Sequence, residues 1–192
     1  MAADRMRTSV PLYLATGPPV NGSLSSPRCR PAGPACARQG LRYPRPVKVY
    51  IASPLGFSAA GRLFLEQVEA HVRSLGHEVV SPWDDPEVAA ATAAGMDNDR
   101  LVHLIGSRNA ARIAAADAVL ACLDGMEPDS GTAAEVGYAT ALGKTVFGLR
   151  TDSRPCGDFP GLPLNAQLLY FVEASGGRLS SALSDVDLRV TG

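Results

Sequence analysis

With 192 residues, 46% of them apolar, the chain is long enough for one well-buried domain and too short for two ordinary ones. The formal net charge of −1 is unevenly spread: residues 1–46 carry seven arginines against Asp4 alone, whereas 18 of the 19 acidic residues fall in 47–192. An acidic body without clustered Lys and Arg excludes a nucleic-acid groove, and no apolar run approaches the roughly 20 residues that a membrane span requires.

In chain order, residues 1–46 come first and hold eight of the 15 prolines, with no sustained period of two or of 3.6. They read as a disordered or loosely attached tail. Its Arg-rich, acid-poor character fits either an organelle transit peptide lacking a clear amphipathic stretch or translation from an upstream start. The domain proper is expected over 47–192. Residues 47–52 form a short β-branched run ended by Ser53-Pro54, and residues 59–75 then carry Leu63, Val68, Val72 and Leu75 at helical spacing up to Gly76. Residues 77–81 read as a second strand, 83–98 as a polar connection, and 100–116 as a helix with Leu101, Leu104, Ile105 and Ile113 on one stripe. A third, wholly apolar strand follows at 118–123, and the segment 129–144 reads as a loop feeding a short helix that stops at Gly143. Residues 145–149 predict a fourth strand and residues 168–172, LLYFV, a fifth.

Uniformly apolar strands separated by helix-length segments predict an α/β fold: an open five-stranded parallel sheet flanked by helices, a Rossmann-like or flavodoxin-like three-layer sandwich. Ligands in such sheets bind beyond the carboxyl ends of the strands, where residues 53–58 and 124–131 should meet. There is no Gly-x-Gly-x-x-Gly after the first strand and no Gly-Lys-Ser/Thr loop, which argues against a dinucleotide or ATP enzyme. Cys29, Cys36, Cys122 and Cys156 lack close pairing and histidine partners, so neither a zinc site nor a disulfide framework is expected; the chain reads as soluble and cytoplasmic.

The segment DSGTAAEVGYATALGK, residues 129–144, concentrates the chemistry. Asp129 sits where an N-cap belongs, and Glu135 lies about one turn beyond Gly131 on the same face, beside small residues that permit close approach of a ligand. A carboxylate nucleophile with a second acid to bind or protonate a leaving group is the equipment of retaining glycosyl transfer. Tyr50, toward the end of the first strand, reads either as a buried core tyrosine or as a phenol placed to hydrogen-bond Glu135 across the cleft. His71, His77 and His103 share no spacing and read as structural.

YIASP (50–54), NAARIAAAD (109–117), EPDSGTAAEVGY (127–138), ALGK (141–144) and GLPLN (161–165) together resemble the nucleoside 2-deoxyribosyltransferase family, in order across about residues 47–175. The Asp-x-Gly-Thr-x-x-Glu core is the specific part. The resemblance implies that Glu135 is the nucleophile, that Asp129 contacts the bound nucleoside and that Tyr50 orients the nucleophile. It implies substrate contacts at Asn109, Ser53, Pro54, Ser130, Gly131 and Gln167, and has Asn165 reach into a neighbouring subunit's site in a homo-oligomer with shared sites. Asn109 stands where many members carry an aspartate, and Gln167 where they carry an apolar residue. The implied substrates are 2'-deoxynucleosides and nucleobases, with no metal or organic cofactor, no nucleic acid and no membrane. Two other readings stay open. One is an N-glycosidase of deoxynucleoside 5'-monophosphates, with Ser53, Ser58, Arg62 and Ser130 holding the phosphate; the other is a non-catalytic nucleotide-binding module.

Overall fold

The computed structural model describes residues 46–189; the expected tail, Pro46 apart, lies outside the described residues, as do Cys29 and Cys36. Strand β1 (Lys48–Ala52) leads into α1 (Ala59–Ser74), β2 (Glu78–Val80), α2 (Pro86–Ala93), α3 (Asn98–Ala115), β3 (Ala118–Cys122), α4 (Ser130–Ala141), β4 (Thr145–Leu149), α5 (Ala166–Ala174) and β5 (Leu179–Ser180). All pairings are parallel and the strand order is β2-β1-β3-β4-β5, so the α/β sandwich expected from the strand pattern is present. The chain reverses its direction of travel across the sheet at β1 and β3, and this is where such a sheet opens a crevice.

Alternation along the strands divides the core between two layers. Val49, Ile51, Leu120 and Cys122 face Leu65, Val68 and Val72 of α1. Tyr50, Ala52, Val119, Ala121 and Leu123 face Ile113 of α3, Val136 and Ala139 of α4, and Leu168 and Val172 of α5. Tyr50 therefore belongs to the layer under α3 and α4, with its side chain completely enclosed.

Two elements differ from expectation. Residues 168–172 are not the fifth strand but the middle of α5: the Asn165 carboxamide accepts from the amides of Gln167 and Leu168, capping a helix whose buried residues, Leu168 and Val172, are four apart. A run of five apolar residues satisfies either period, and the cap decides it. The fifth strand is the two-residue Leu179–Ser180, too short to show a pattern. The connection at 83–98 contains α2, started by Asp85, whose side chain accepts from the amides of Glu87 and Val88 with Pro86 in the first turn.

Gly177 shows how tightly β5 is delivered to the sheet. A β-carbon there would lie 1.9 Å from the carbonyl oxygen of Val146, which is backbone and cannot swing away. Gly177→Ala is expected to cost about 1–3 kcal/mol of stability, read as a lowered urea midpoint with an unchanged slope.

Candidate active site

The crevice is built from the carboxyl ends of β1 and β3, the entrance of α4 and the middle of α3. Asp129 is the α4 N-cap: its Oδ2 accepts from the Thr132 amide at 2.9 Å and from the Thr132 hydroxyl at 3.1 Å. Capping fixes the first turn of α4 and thereby the direction in which Glu135, one turn on, projects. The loop that carries Asp129 is tied down by Arg150, a buried residue at the end of β4. Its guanidinium donates to the carbonyls of Leu123 and Gly125 on one side and of Arg154 on the other.

Two of the expected site residues converge on one atom of a third. The Tyr50 hydroxyl donates to Glu135 Oε1 at 2.7 Å, and the Asn109 amide donates to the same oxygen at 3.3 Å. Burial raises the Tyr50 phenol well above its ordinary value, and the Glu135 charge raises it further, so this group stays protonated and remains a donor. Glu135 is also raised. Half-burial is the main cause and the negative charge of Asp129 adds to it, against the hydrogen bonds from Tyr50 and Asn109, which favour the ionised form.

The remaining predicted residues fall into two groups. Ser53 and Pro54 shape the loop after β1: the Ser53 hydroxyl accepts from the Leu55 amide at 3.0 Å, and Pro54 starts the single 3-10 turn Leu55–Phe57. Ser130 and Gly131 open α4 and are exposed. Asn165 and Gln167 stand elsewhere. They line a cavity of about 480 Å³ with Met126, Glu127, Ala133 and Asp158, on the α5 side of α4. Ala133 faces this cavity, and Glu135, two residues later, is turned about 200° around the helix. Glu135, Tyr50 and Asn109 do not line it. Within one chain, then, the structure brings Tyr50, Asn109, Asp129 and Glu135 together and leaves Asn165 and Gln167 on the opposite side of α4.

Arg62 is exposed, with its Nε donating to the Gly56 carbonyl at 2.8 Å, and it lines a small cavity alongside Glu66, Glu69, Trp83 and Asp84. The Ser58 hydroxyl caps α1. Sequence reasoning missed Trp83, whose indole donates to the Ser53 carbonyl at 3.2 Å and packs edge-on against Phe57 with ring centroids 4.6 Å apart. A lone Trp in a polar connection carries no spacing signal. Cys122, buried under this loop, has its thiol pushed up to about 12 by burial, which makes it inert. Among the described residues there is no cluster of three or more metal-ligating side chains, and no helix is long and apolar enough to cross a membrane.

Comparison with known proteins bears on this geometry. The family profile described as nucleoside 2-deoxyribosyltransferase matches residues 49–167. No curated protein matches the chain. Among solved structures, a conserved protein from Enterococcus faecalis V583 is 24% identical, covering 76% of this chain and 97% of its own, with a TM-score of 0.58. A 2-deoxyribosyltransferase from Bacillus psychrosaccharolyticus is 22% identical, covering 73% and 90%, with a TM-score of 0.56. Both share the fold. A 2-deoxyribosyltransferase from Leishmania mexicana is 31% identical over 64% of this chain and 85% of its own, with a TM-score of 0.49.

The raised carboxyl of Glu135 has a consequence for stability. Its folded pKa lies above the unfolded value, so the contribution it makes to stability is complete below the unfolded pKa and is lost as pH rises through the folded pKa. Wherever Glu135 is ionised, the fold holds a carboxylate in an environment that prefers the neutral acid. Glu135→Gln keeps the acceptor for Tyr50 and Asn109 without the charge, and is expected to raise Tm at pH 7 by about 1–4 °C, an advantage that disappears as the pH falls below the usual glutamate range. Calorimetry of both proteins across pH 4–7.5 checks the sign.

Proposed function

The chain belongs to the nucleoside 2-deoxyribosyltransferase family, and on that premise we propose that it transfers a 2-deoxyribosyl group between nucleobases through a covalent sugar ester on Glu135. Family membership makes it an enzyme of glycosyl transfer or of N-glycoside cleavage acting on nucleosides. The observation that carries the finer reading is the convergence of Tyr50 and Asn109 on Oε1 of a half-buried glutamate at the mouth of the crevice. Two donors on one oxygen hold the carboxylate in a single orientation, with Oε2 as the oxygen that attacks.

In the first step Oε2 of the ionised carboxylate bonds to the anomeric carbon from the face opposite the base. The N-glycosidic bond breaks and its electron pair leaves with the base, which takes up a proton. The amide of Asn109 carries no acidic proton, so it orients rather than protonates. Asp129, close enough for its charge to be felt at Glu135, is the group we assign to contact the base and to relay to it a proton taken from solvent, which the base attacking in the second step returns. In the second step a different base attacks the same carbon and releases Glu135. Two inversions restore the original configuration.

A nucleoside rather than a nucleotide as substrate is supported by Arg62. Its neighbours in the adjacent cavity include Glu66, Glu69 and Asp84, a poor setting for a phosphate. Incubation with a pyrimidine deoxynucleoside and a free purine base is expected to yield the exchanged purine deoxynucleoside. Glu135→Ala should lower the rate by several orders of magnitude, about 10⁴-fold or more. Free deoxyribose without exchange would assign a hydrolase, and near-normal exchange by Glu135→Ala would remove Glu135 from the mechanism.

We further propose a homo-oligomer whose sites are shared, with Asn165 and Gln167 serving the neighbouring subunit. The support is their place across α4 from their own Glu135. Asn165 also caps α5 and donates to Asp158 at 3.3 Å, so its replacement carries a local cost in stability of about 0.5–2 kcal/mol. Mixing Glu135→Ala chains with Asn165→Trp chains, each folded and inactive alone, is expected to restore activity, because some sites would pair an intact Glu135 with an intact Asn165. No recovery after subunit exchange has been verified would assign Asn165 to its own protomer.

A further inference from the structure

Asn109 is the weaker of the two donors to Glu135, and its position depends on α3. That helix is poorly anchored by apolar contact: of its 18 residues, all of them described, Ile113 alone is fully buried, while Val102 and Ile105 are exposed. Beyond Ile113, what holds α3 beside the crevice is a set of ion pairs. Asp85, with its side chain only 2% exposed, accepts from Arg108 Nε through Oδ2, and the same oxygen lies 3.1 Å from Arg112 Nη2. Arg108 also pairs with Glu87, and Arg112 Nη1 donates to the carbonyl of Ser81 at 3.1 Å. Asp85 Oδ1 meanwhile caps α2.

The two arginines bracket Asn109, one residue before it and three after, and are separated from it by about 100° and 60° around the helix. A buried carboxylate that binds both therefore fixes the rotation and the axial position of α3 at the turn that presents the Asn109 amide. Lys144 pins the far end of the same helix, its ammonium donating to the carbonyls of Ala114 and Ala116. Between these two fixed points lies a single turn and a half.

We infer that Asp85, acting through Arg108 and Arg112, is a positioning residue that holds the Asn109 amide against Oε1 of Glu135. Asp85 touches neither the sugar nor the base. Its effect on the reaction passes through Asn109, and the inference rests on Glu135 being the nucleophile. The charges on this face balance within the cluster, two guanidinium groups against Asp85 and Glu87, so both arginines serve the helix rather than a ligand.

The prediction is non-additivity in a double-mutant cycle on the full-length chain, scored by base exchange. Asp85→Asn retains an acceptor for the α2 amides but removes the charge that gathers the arginines. It is expected to lower kcat about tenfold or more with KM within about threefold, since displacement of a positioning group by about 1 Å costs up to 10²-fold. In an Asn109→Ala background the same change is expected to alter kcat by less than about twofold, because the group it positions is already gone. Equal losses in both backgrounds, or an Asp85→Asn enzyme with wild-type kcat, would overturn the inference. If Asp85→Asn does not fold, Arg112→Gln runs through the same cycle with the same two outcomes. A wild-type chain that turns over no deoxynucleoside overturns the functional reading itself, whereas an active wild type with an additive cycle overturns the clamp alone.

Discussion

The hydrogen bond from Tyr50 to Glu135 joins the first strand to the fourth helix at the place where the sheet reverses its order. Its strength as a constraint comes from burial. A phenol with no exposed surface in the middle of a packed layer has no alternative rotamer in water, and the same burial keeps it protonated beside a carboxylate. The strand thus presents a donor of fixed position and fixed protonation state. Everything that keeps β1 beside β3, above all the parallel pairing of Tyr50 with Val119 and Ile51 with Leu120, also keeps this donor in place.

Glu135 is held under opposing influences. Half-burial and the charge of Asp129 push its carboxyl up; the two hydrogen bonds push it down. An ionised carboxylate here has lost much of its hydration, a condition that disfavours the fold. Asp129 contributes in two ways, as the cap that aims α4 and as the charge that lifts its neighbour. The cap uses Oδ2.

Helix α4 separates two environments. Glu135 looks toward α3 and β1, where hydrogen-bond donors converge; Ala133 looks toward α5, where a cavity opens between the residues after Gly125 and the cap of α5. Small side chains on both faces of this helix let neighbours approach closely, and a β-carbon added at Gly137 would lie 3.6 Å from the ring of Phe171. The helix is apolar overall and has little of the polar-outside pattern of a surface element, as suits an element packed on both sides.

Much of this was legible in the order of residues. The apolar strands with helix-length spacing specify a parallel sheet because both faces must be covered, and the cap and small residues around 129–137 locate an acid at a strand's carboxyl end. Tyr50 and Glu135 could be paired because strand ends and helix starts in such a sheet lie together. Local pattern misled where two periods fit equally, as at residues 168–172, and missed α2, whose only announcement is Asp85 before a proline. The clamp on Arg108 and Arg112 and the enclosure of Arg150 had no signal at all, and the separation of Asn165 from Glu135 was implied by the family resemblance alone. They depend on which faces of α3, α4 and α5 meet, and that is decided by packing between segments distant in sequence, not by the spacing within any one of them.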